Sequence, residues 1–391
     1  MTFETLQEPP KIPVWLDCDP VQHAKSKRMP GHDDAFAILL AAHHPQLDLL
    51  GITTVHGNAS LENTTINAGS ILESIGRSDI PVYPGSKKPF CRLPVHAPDI
   101  HGVTGIDGTD LLPTPKVPPV TNVNPILAMR NALLAQPSNT AWVVATGALT
   151  NVGLLFAVFP EVAEHIRGLS IMGGAIGEGF TNVPISKKDG ETNRIGNTTL
   201  YSEFNIYTDP ESAKSILMSP ILGPKTTLIT LDLTHQVLAT RTIQSLILAT
   251  ESSNESGPSV LRQILHALLM FFGGTYDTVF GIDSGPPLHD PVAVAVLLSN
   301  LNGPQMAGRG DILQFNDNNG ARYMVDVITD GSHGRDIELT KEVGRTVAQK
   351  TTNSLGGVTI PVSMDVDKFW VIVLDCLRRA EKCIGMLPGA N

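Results

Sequence analysis

The chain has 391 residues, with 28 lysines and arginines against 38 aspartates and glutamates, for a formal net charge of -10. That balance argues against a nucleic-acid partner, because such proteins carry basic stripes that neutralise phosphates, and only Lys25-Ser26-Lys27-Arg28 approaches one. An apolar content of 42% and 35 glycines describe a globular chain able to bury a substantial core.

Four cysteines, at 18, 91, 376 and 383, have no C-x-x-C spacing, which suits a reducing compartment better than a disulfide framework. The opening stretch MTFETLQEPPKIPV lacks the pattern of a secretory signal. Apolar runs such as VAVAVLL fall far short of the ~18 residues that span a bilayer. A soluble cytoplasmic protein with no membrane partner is the expectation.

In chain order, short β-branched runs alternate with longer amphipathic ones. Strands are expected at 14–19, 49–55, 81–83, 141–146, 168–172, 227–231 and 323–328. Helical periodicity falls between them at 34–43, 61–75, 125–135, 210–217, 260–272 and 291–299, and the stretch 366–383 is the best amphipathic helix. This is the rhythm of repeated βαβ units, so the fold class expected is α/β: one large domain with a mainly parallel central sheet flanked by helices. Polar stretches at 21–30, 177–196 and 251–257 interrupt the rhythm without changing it, and read as loops on one domain over 12–385 behind an extension at 1–11. Two of them follow strands, at the sheet edge where α/β proteins bind ligands.

The first strand runs into Asp17-Cys18-Asp19-Pro20, and Asp33-Asp34 open the next helix. Taken alone, Asp33 reads as an N-cap and Asp34 as a first-turn acid. Four carboxylates gathered at one turn repel one another, and a bound cation relieves the repulsion. No cysteine or histidine pair stands near, so all-oxygen ligation by a hard ion, calcium or magnesium, is expected. Further donors come from the same edge: VVATGALTN offers backbone carbonyls at Ala145 and Thr146, and PLHDPVAVAVLL places His289-Asp290 before a helix with Pro291 at its first position.

On these residues the chain resembles the nucleoside hydrolases of the inosine–uridine-preferring family, from about Ile12 to about Cys383. The signature is present, though divided, as DCDP and GHDDAFA, and is followed in order by VHGNAS, DIHGVTGIDG, VVATGALTN, IMGGA, GNTTLYSEFN and LHDPVAV. The resemblance implies calcium-dependent hydrolysis of ribonucleosides to ribose and free base. It implies calcium ligation by Asp19, Asp34, Asp290 and the main-chain oxygen of Thr146, with Asp19 as general base toward a water held by the ion. Asp33 and Asn58 would meet the ribose hydroxyls, Asn197, Glu203 and Asn205 the rest of the sugar, and Met172 would pack beneath it. His289 would protonate or hydrogen-bond the departing base. His101 would lie in a loop closing over the sugar, and Tyr276 would contact the base from a mobile helix end. Assembly as a homodimer or homotetramer is implied as well.

The chain departs from the family pattern in two places. VQHAKSKRMP separates Pro20 from Gly31, and deleting those ten residues would restore DCDPGHDD. Loop-closure entropy tolerates such an insert, since each doubling of length costs only about 0.6 kcal/mol. Extrusion from an intact site is the expected outcome. The alternative is an impaired or non-catalytic ribose-binding homologue. The second departure is the stretch 177–196, read as a lid over the sugar pocket, the flank of a subunit contact or an inert surface loop. A rival reading of D-C-D as the aspartate pair of a magnesium-dependent phosphohydrolase is opposed by Pro20, which does not fit the residue pattern expected after the second aspartate.

Overall fold

The computed structural model describes residues 10–20, 32–94, 111–191, 193–250, 257–306, 309, 312–333, 342–353 and 356–386. The insert at 21–30, His101 and most of the N-terminal extension therefore lie outside the described residues. Strand β1 (Ile12–Cys18) leads to helix α1 (Asp34–His43), then β2 (Leu47–Thr54), α2 (Leu61–Ser74), β3 (Val82–Pro84), α3 (Pro125–Leu134) and β4 (Trp142–Ala145). Next come α4 (Thr150–Val158), α5 (Glu161–His165), β5 (Gly168–Met172), α6 (Phe204–Thr208), α7 (Pro210–Leu217), β6 (Thr226–Ile229), α8 (Leu231–Thr234) and α9 (Arg241–Leu248). The long α10 (Val260–Phe280) and short α11 (Asp290–Ala295) precede β7 (Phe315–Asn316), β8 (Arg322–Val327), β9 (Thr346–Lys350), β10 (Val358–Thr359), β11 (Ser363–Met364) and α12 (Val366–Gly385).

Nine of these strands form one sheet in the order β3-β2-β1-β4-β5-β6-β10-β8-β9. Pairing is parallel from β3 through β6 to β10, and β8 and β9 add an antiparallel edge. Helices cover both faces, which is why all seven residues of β1 are buried. Successive side chains point to opposite faces of a strand. Ile12, Val14, Leu16 and Cys18 accordingly pack with α1, α11 and α12, while Trp15 packs with Val143, Ala145, Leu169 and Ile171. Helix α1 is buried from Asp34 through Ala42, so the sequence DAFAILLAA is apolar nearly all round, as a helix wedged inside a core must be.

The order of connection reverses at β1, which has β2 on one side and β4 on the other. That reversal opens a crevice beyond the strands' C-terminal ends. Asp17 is level with Ala145, and Cys18 with Thr54, so Asp19 and Thr146 emerge side by side at its floor.

The expected elements are present with ends shifted by a few residues, and three differences touch the site. The helix beginning at Val260 runs through Gly273-Gly274 to Phe280. A glycine inside a helix costs only about 1 kcal/mol against alanine, less than is recovered by burying Phe272, Tyr276 and Phe280 along one stripe. Tyr276 is thus buried within the helix, one turn before its end, and does not lie on a loose terminus. The residues after Glu203, where no element was expected before 210, form α6 because Glu203 caps them. The helix expected over 291–299 is α11 followed by a 3-10 turn at Val296–Leu298. Among the described residues no helix is long and apolar enough to cross a membrane.

Candidate active site

Asp19 sits just past the end of β1 with its carboxylate fully buried. Its Oδ2 accepts from the Asn58 backbone N–H at 2.8 Å, and the Asn58 amide reaches back to the Asp19 carbonyl at 3.5 Å. Two glycines crowd this carboxylate. A Cβ on Gly57 would lie 2.2 Å from Asp19 Oδ2, and one on Gly147 would lie 2.8 Å from Asp19 Oδ1. Asp34, the first residue of α1, accepts at Oδ1 from the Thr146 hydroxyl at 3.1 Å.

Asp33 occupies the N-cap position of α1 but makes no side-chain cap bond there. Its Oδ2 instead accepts from the backbone N–H groups of His289 and Asp290, at 2.8 and 3.2 Å. One carboxylate therefore caps the N-terminus of a helix 256 residues away, and the ordinary N-cap account of Asp33 does not hold. This bond brings His289 and Asp290 to the same crevice, where the Asp33 charge acts on the Asp290 carboxyl group.

Asn205, in α6, donates from its amide to the carbonyl oxygens of Thr146 and Met172, at 3.0 and 3.1 Å. Glu203 caps α6 with two backbone bonds, from Asn205 and Ile206 at 2.9 and 3.1 Å, and also accepts from the Gly174 N–H beyond β5 at 3.0 Å. Asn197 accepts from the Phe204 N–H at 3.0 Å. At the opposite wall, His289 lies between two hydroxyls: Tyr276 is 2.7 Å from Nε2 and Thr234 is 2.6 Å from Nδ1. Asp33, Asn58, Thr146, Met172, Asn197, Glu203, Asn205, His289 and Asp290 line one cleft. Apart from His101, every expected residue is thus placed in or immediately around this crevice.

The electrostatics are those of crowded acids. Burial is the first cause of a raised proton affinity at Asp19, Asp34 and Asp290, and their mutual repulsion adds to it. Glu203 is also raised by burial, against the pull of its backbone bonds. Asp17, whose carboxylate is held by Thr53 and by Asn151 at 2.8 Å, is pushed up to about 7 by burial. Burial drives His289 the other way, to about 3, so its imidazole is neutral.

Asp17 Oδ2, Asp19 Oδ1 and Asp34 Oδ2 are buried oxygens without a hydrogen-bond partner. Such oxygens are costly unless something positive meets them. Hard anionic oxygens, a neighbouring main-chain carbonyl and a glycine-lined cradle are the donor chemistry of a divalent cation. Among the described residues no three His, Cys, Asp or Glu side chains already stand as a ready ligand group. The fit therefore lies in donor type and convergence rather than in a preformed shell.

Sequence reasoning missed the supporting residues Thr53, Asn151 and Thr234, and the glycines at 57 and 147. Thr234 has no local signal, since its partner is 55 residues away in the chain. Asn151 could have been suspected from its place directly after the strand and turn of VVATGALTN.

Comparison with known proteins adds an independent line. A family model described as inosine-uridine preferring nucleoside hydrolase matches residues 14–371. A uridine nucleosidase of Saccharomyces cerevisiae is 36% identical over 375 residues, covering 95% of this chain and 97% of its own. A probable ribonucleoside hydrolase of Dictyostelium discoideum is 32% identical over 388 residues, covering 97% of each chain. Among solved structures, a purine-preferring ribonucleoside hydrolase from Gardnerella vaginalis matches with a TM-score of 0.69 at 22% identity, covering 95% of this chain and 99% of that one. A plant nucleoside hydrolase matches with a TM-score of 0.68 at 24% identity, covering 94% and 99%. These two support the fold.

Proposed function

Because this chain belongs to the inosine-uridine preferring nucleoside hydrolase family, and is a ribonucleoside hydrolase on that ground, we propose that it uses calcium to split uridine- and inosine-type ribonucleosides into ribose and base. The observation that carries this reading is the convergence of buried acids, with unpartnered oxygens on Asp19 and Asp34, at the floor of a cleft lined by amides and a histidine.

Asp19, Asp34, Asp290 and the Thr146 carbonyl would hold the ion, which when bound supplies positive charge to fix a sugar diol and to acidify a water. Calcium suits this set better than magnesium because it accepts irregular mixtures of carboxylate and carbonyl oxygen. Asp19 is the general base: Oδ2 is fixed by Asn58, leaving Oδ1 to take the proton from the attacking water. Asp33 and Asn58 face the ribose hydroxyls, and Asn197, Glu203 and Asn205 the remainder of the sugar. Short polar side chains held by backbone bonds discriminate hydroxyls, as an apolar wall cannot. Met172 packs beneath the ring. As positive charge grows on the sugar, the anomeric bond to the base breaks, and the electron pair leaves with the base. His289 is neutral and stands in hydrogen-bond contact with Tyr276, so it assists departure by hydrogen bonding and proton relay, not as a standing imidazolium.

The test is a nucleoside panel, including uridine, inosine, cytidine and adenosine, incubated with purified protein and assayed for reducing sugar. Ribose release from uridine or inosine, lost with a chelator and restored by calcium, is the expected result. Tight ribose binding without reducing sugar from any nucleoside would overturn the reading in favour of an impaired homologue. A cytoplasmic location and assembly as a homodimer or homotetramer belong to the same proposal, checked by fractionation and light scattering.

A further inference from the structure

Residues 176–191 and 193–195 take no part in these assignments, yet they dock on both walls of the cleft. At their start, the N–H groups of Ile176 and Gly177 bind the Asp232 carboxylate at 2.9 Å each, in the helix that carries Thr234. In the middle, Lys187 N–H donates to the Phe280 carbonyl at 2.8 Å, and the Ser186 hydroxyl donates to Glu191 at 2.7 Å. At their end stands Arg194, with a side chain only 11% exposed.

The Arg194 guanidinium meets four acceptor oxygens on three residues. Nε and Nη2 donate to the two Glu191 oxygens at 3.2 and 3.1 Å, and Nη1 donates to the carbonyls of Gly196 and Thr199 at 3.2 and 3.0 Å. Those two carbonyls bracket Asn197. The group also lies 5.9 Å from the centre of the Phe280 ring, within reach of a cation–π attraction. Phe280 packs on Tyr276 at 5.1 Å between ring centres, and Tyr276 is hydrogen-bonded to His289.

We propose that Arg194 is a positioning residue for the leaving-group end of the cleft: it joins the segment bearing Asn197 to the helix bearing Tyr276, and so holds the Tyr276 hydroxyl against His289. An ion pair with Glu191 alone would contribute little, because the Glu191 side chain is 29% exposed and so screened by water. The forked geometry is the point, since a planar guanidinium serves a carboxylate, two carbonyls and a ring face together, and an ammonium cannot. The proposal rests on the reading of His289 and Tyr276 as the groups that meet the departing base.

The test compares two substrates, uridine and 4-nitrophenyl β-D-ribofuranoside, in the calcium-loaded full-length protein. The nitrophenolate departs as a stable anion and needs no proton. Displacing a catalytic group by a fraction of an ångström can cost about 100-fold, so Arg194→Ala is expected to lose about 30-fold in kcat on uridine. On the nitrophenyl riboside it should lose less than about 3-fold, because leaving-group assistance is not needed there. The unfolding temperature should stay within a few degrees of the parent. Arg194→Lys should lose about 5-fold on uridine with the same substrate dependence, and carries the comparison if the alanine variant does not fold. Equal losses on both substrates, or unchanged kcat on uridine, would overturn the positioning role. His289→Ala is the reference: if it lacks the substrate dependence, the leaving-group reading falls and the proposal with it, whereas dependence in His289→Ala but not in the Arg194 variants overturns the proposal alone.

Discussion

Asp19 has one oxygen tied to the Asn58 backbone and one without a protein partner, surrounded by other acids in a site closed to solvent. Such a residue serves function at the expense of repulsion. Asp19→Ala is expected to lower kcat about 1000-fold or more, the scale of a lost general base, while the unfolding free energy without calcium changes by no more than about 1 kcal/mol, since a buried repelling charge is removed. Steady-state assays beside a denaturant titration would separate the two effects, and retained turnover would refute the role given to Asp19. A different residue contributes to the acid limb of stability. Burial and the nearby Arg379 depress His44 to about 4. Its folded value lies below the unfolded one, so its stabilising contribution is complete above about 6.5 and is lost as pH falls through 4. In His44→Gln the fall in stability between pH 7 and pH 4 should be shallower than in the parent by on the order of 2 kcal/mol, measured by chemical denaturation at each pH. Identical slopes would show that His44 is not buried in its neutral form.

The turn after β4 shows how an element aims a site. Thr146 N–H bonds the Asp17 carbonyl at 2.8 Å, locking the turn to the neighbouring strand, while its own carbonyl faces the Asn205 amide. Gly147 follows because a side chain there would collide with the Asp19 carboxylate and with Val55. Gly147→Ala should therefore keep the fold, with a modest loss of about 1–2 kcal/mol from overpacking, but lose about 100-fold in kcat/KM as Asp19 is pushed aside. A parental kcat/KM would mean that the neighbouring strand end yields instead. Much at this scale was legible beforehand. The strand leading to Asp19, the helix opening at Asp34 and the strand-turn of VVATGALTN are local patterns, and local patterns report on the elements that bear them. What escaped was cooperative over distance: α10 continues through two glycines because its aromatic stripe is buried, and α6 starts at Glu203, whose carboxylate binds two of the helix's N–H groups and is held in place by the distant Gly174 N–H. The capping of α11 by Asp33 is likewise invisible in one dimension, since neither partner is a near neighbour of the other.

For the molecule as a whole, the crevice is where β2 and β4 part on either side of β1, and the candidate ligands arrive from three separate stretches of chain: Asp19 and Asp34, Thr146, and Asp290. An ion gripping all of them would tie these stretches together and favour the native state by mass action. At about 1000 times its dissociation constant, calcium should add about 4 kcal/mol to the unfolding free energy, seen as a higher unfolding temperature than in a chelator. A temperature indifferent to calcium would argue against ligation by these groups. The same crowding of acids has a second consequence. Carboxyl groups pressed together out of water retain hydrogens at a pH where free aspartate has surrendered them, and coordination demands their ionised form. Loading the protein in weakly buffered solution should therefore acidify the medium, and the heat recorded in a titration calorimeter should vary with the ionisation enthalpy of the buffer chosen.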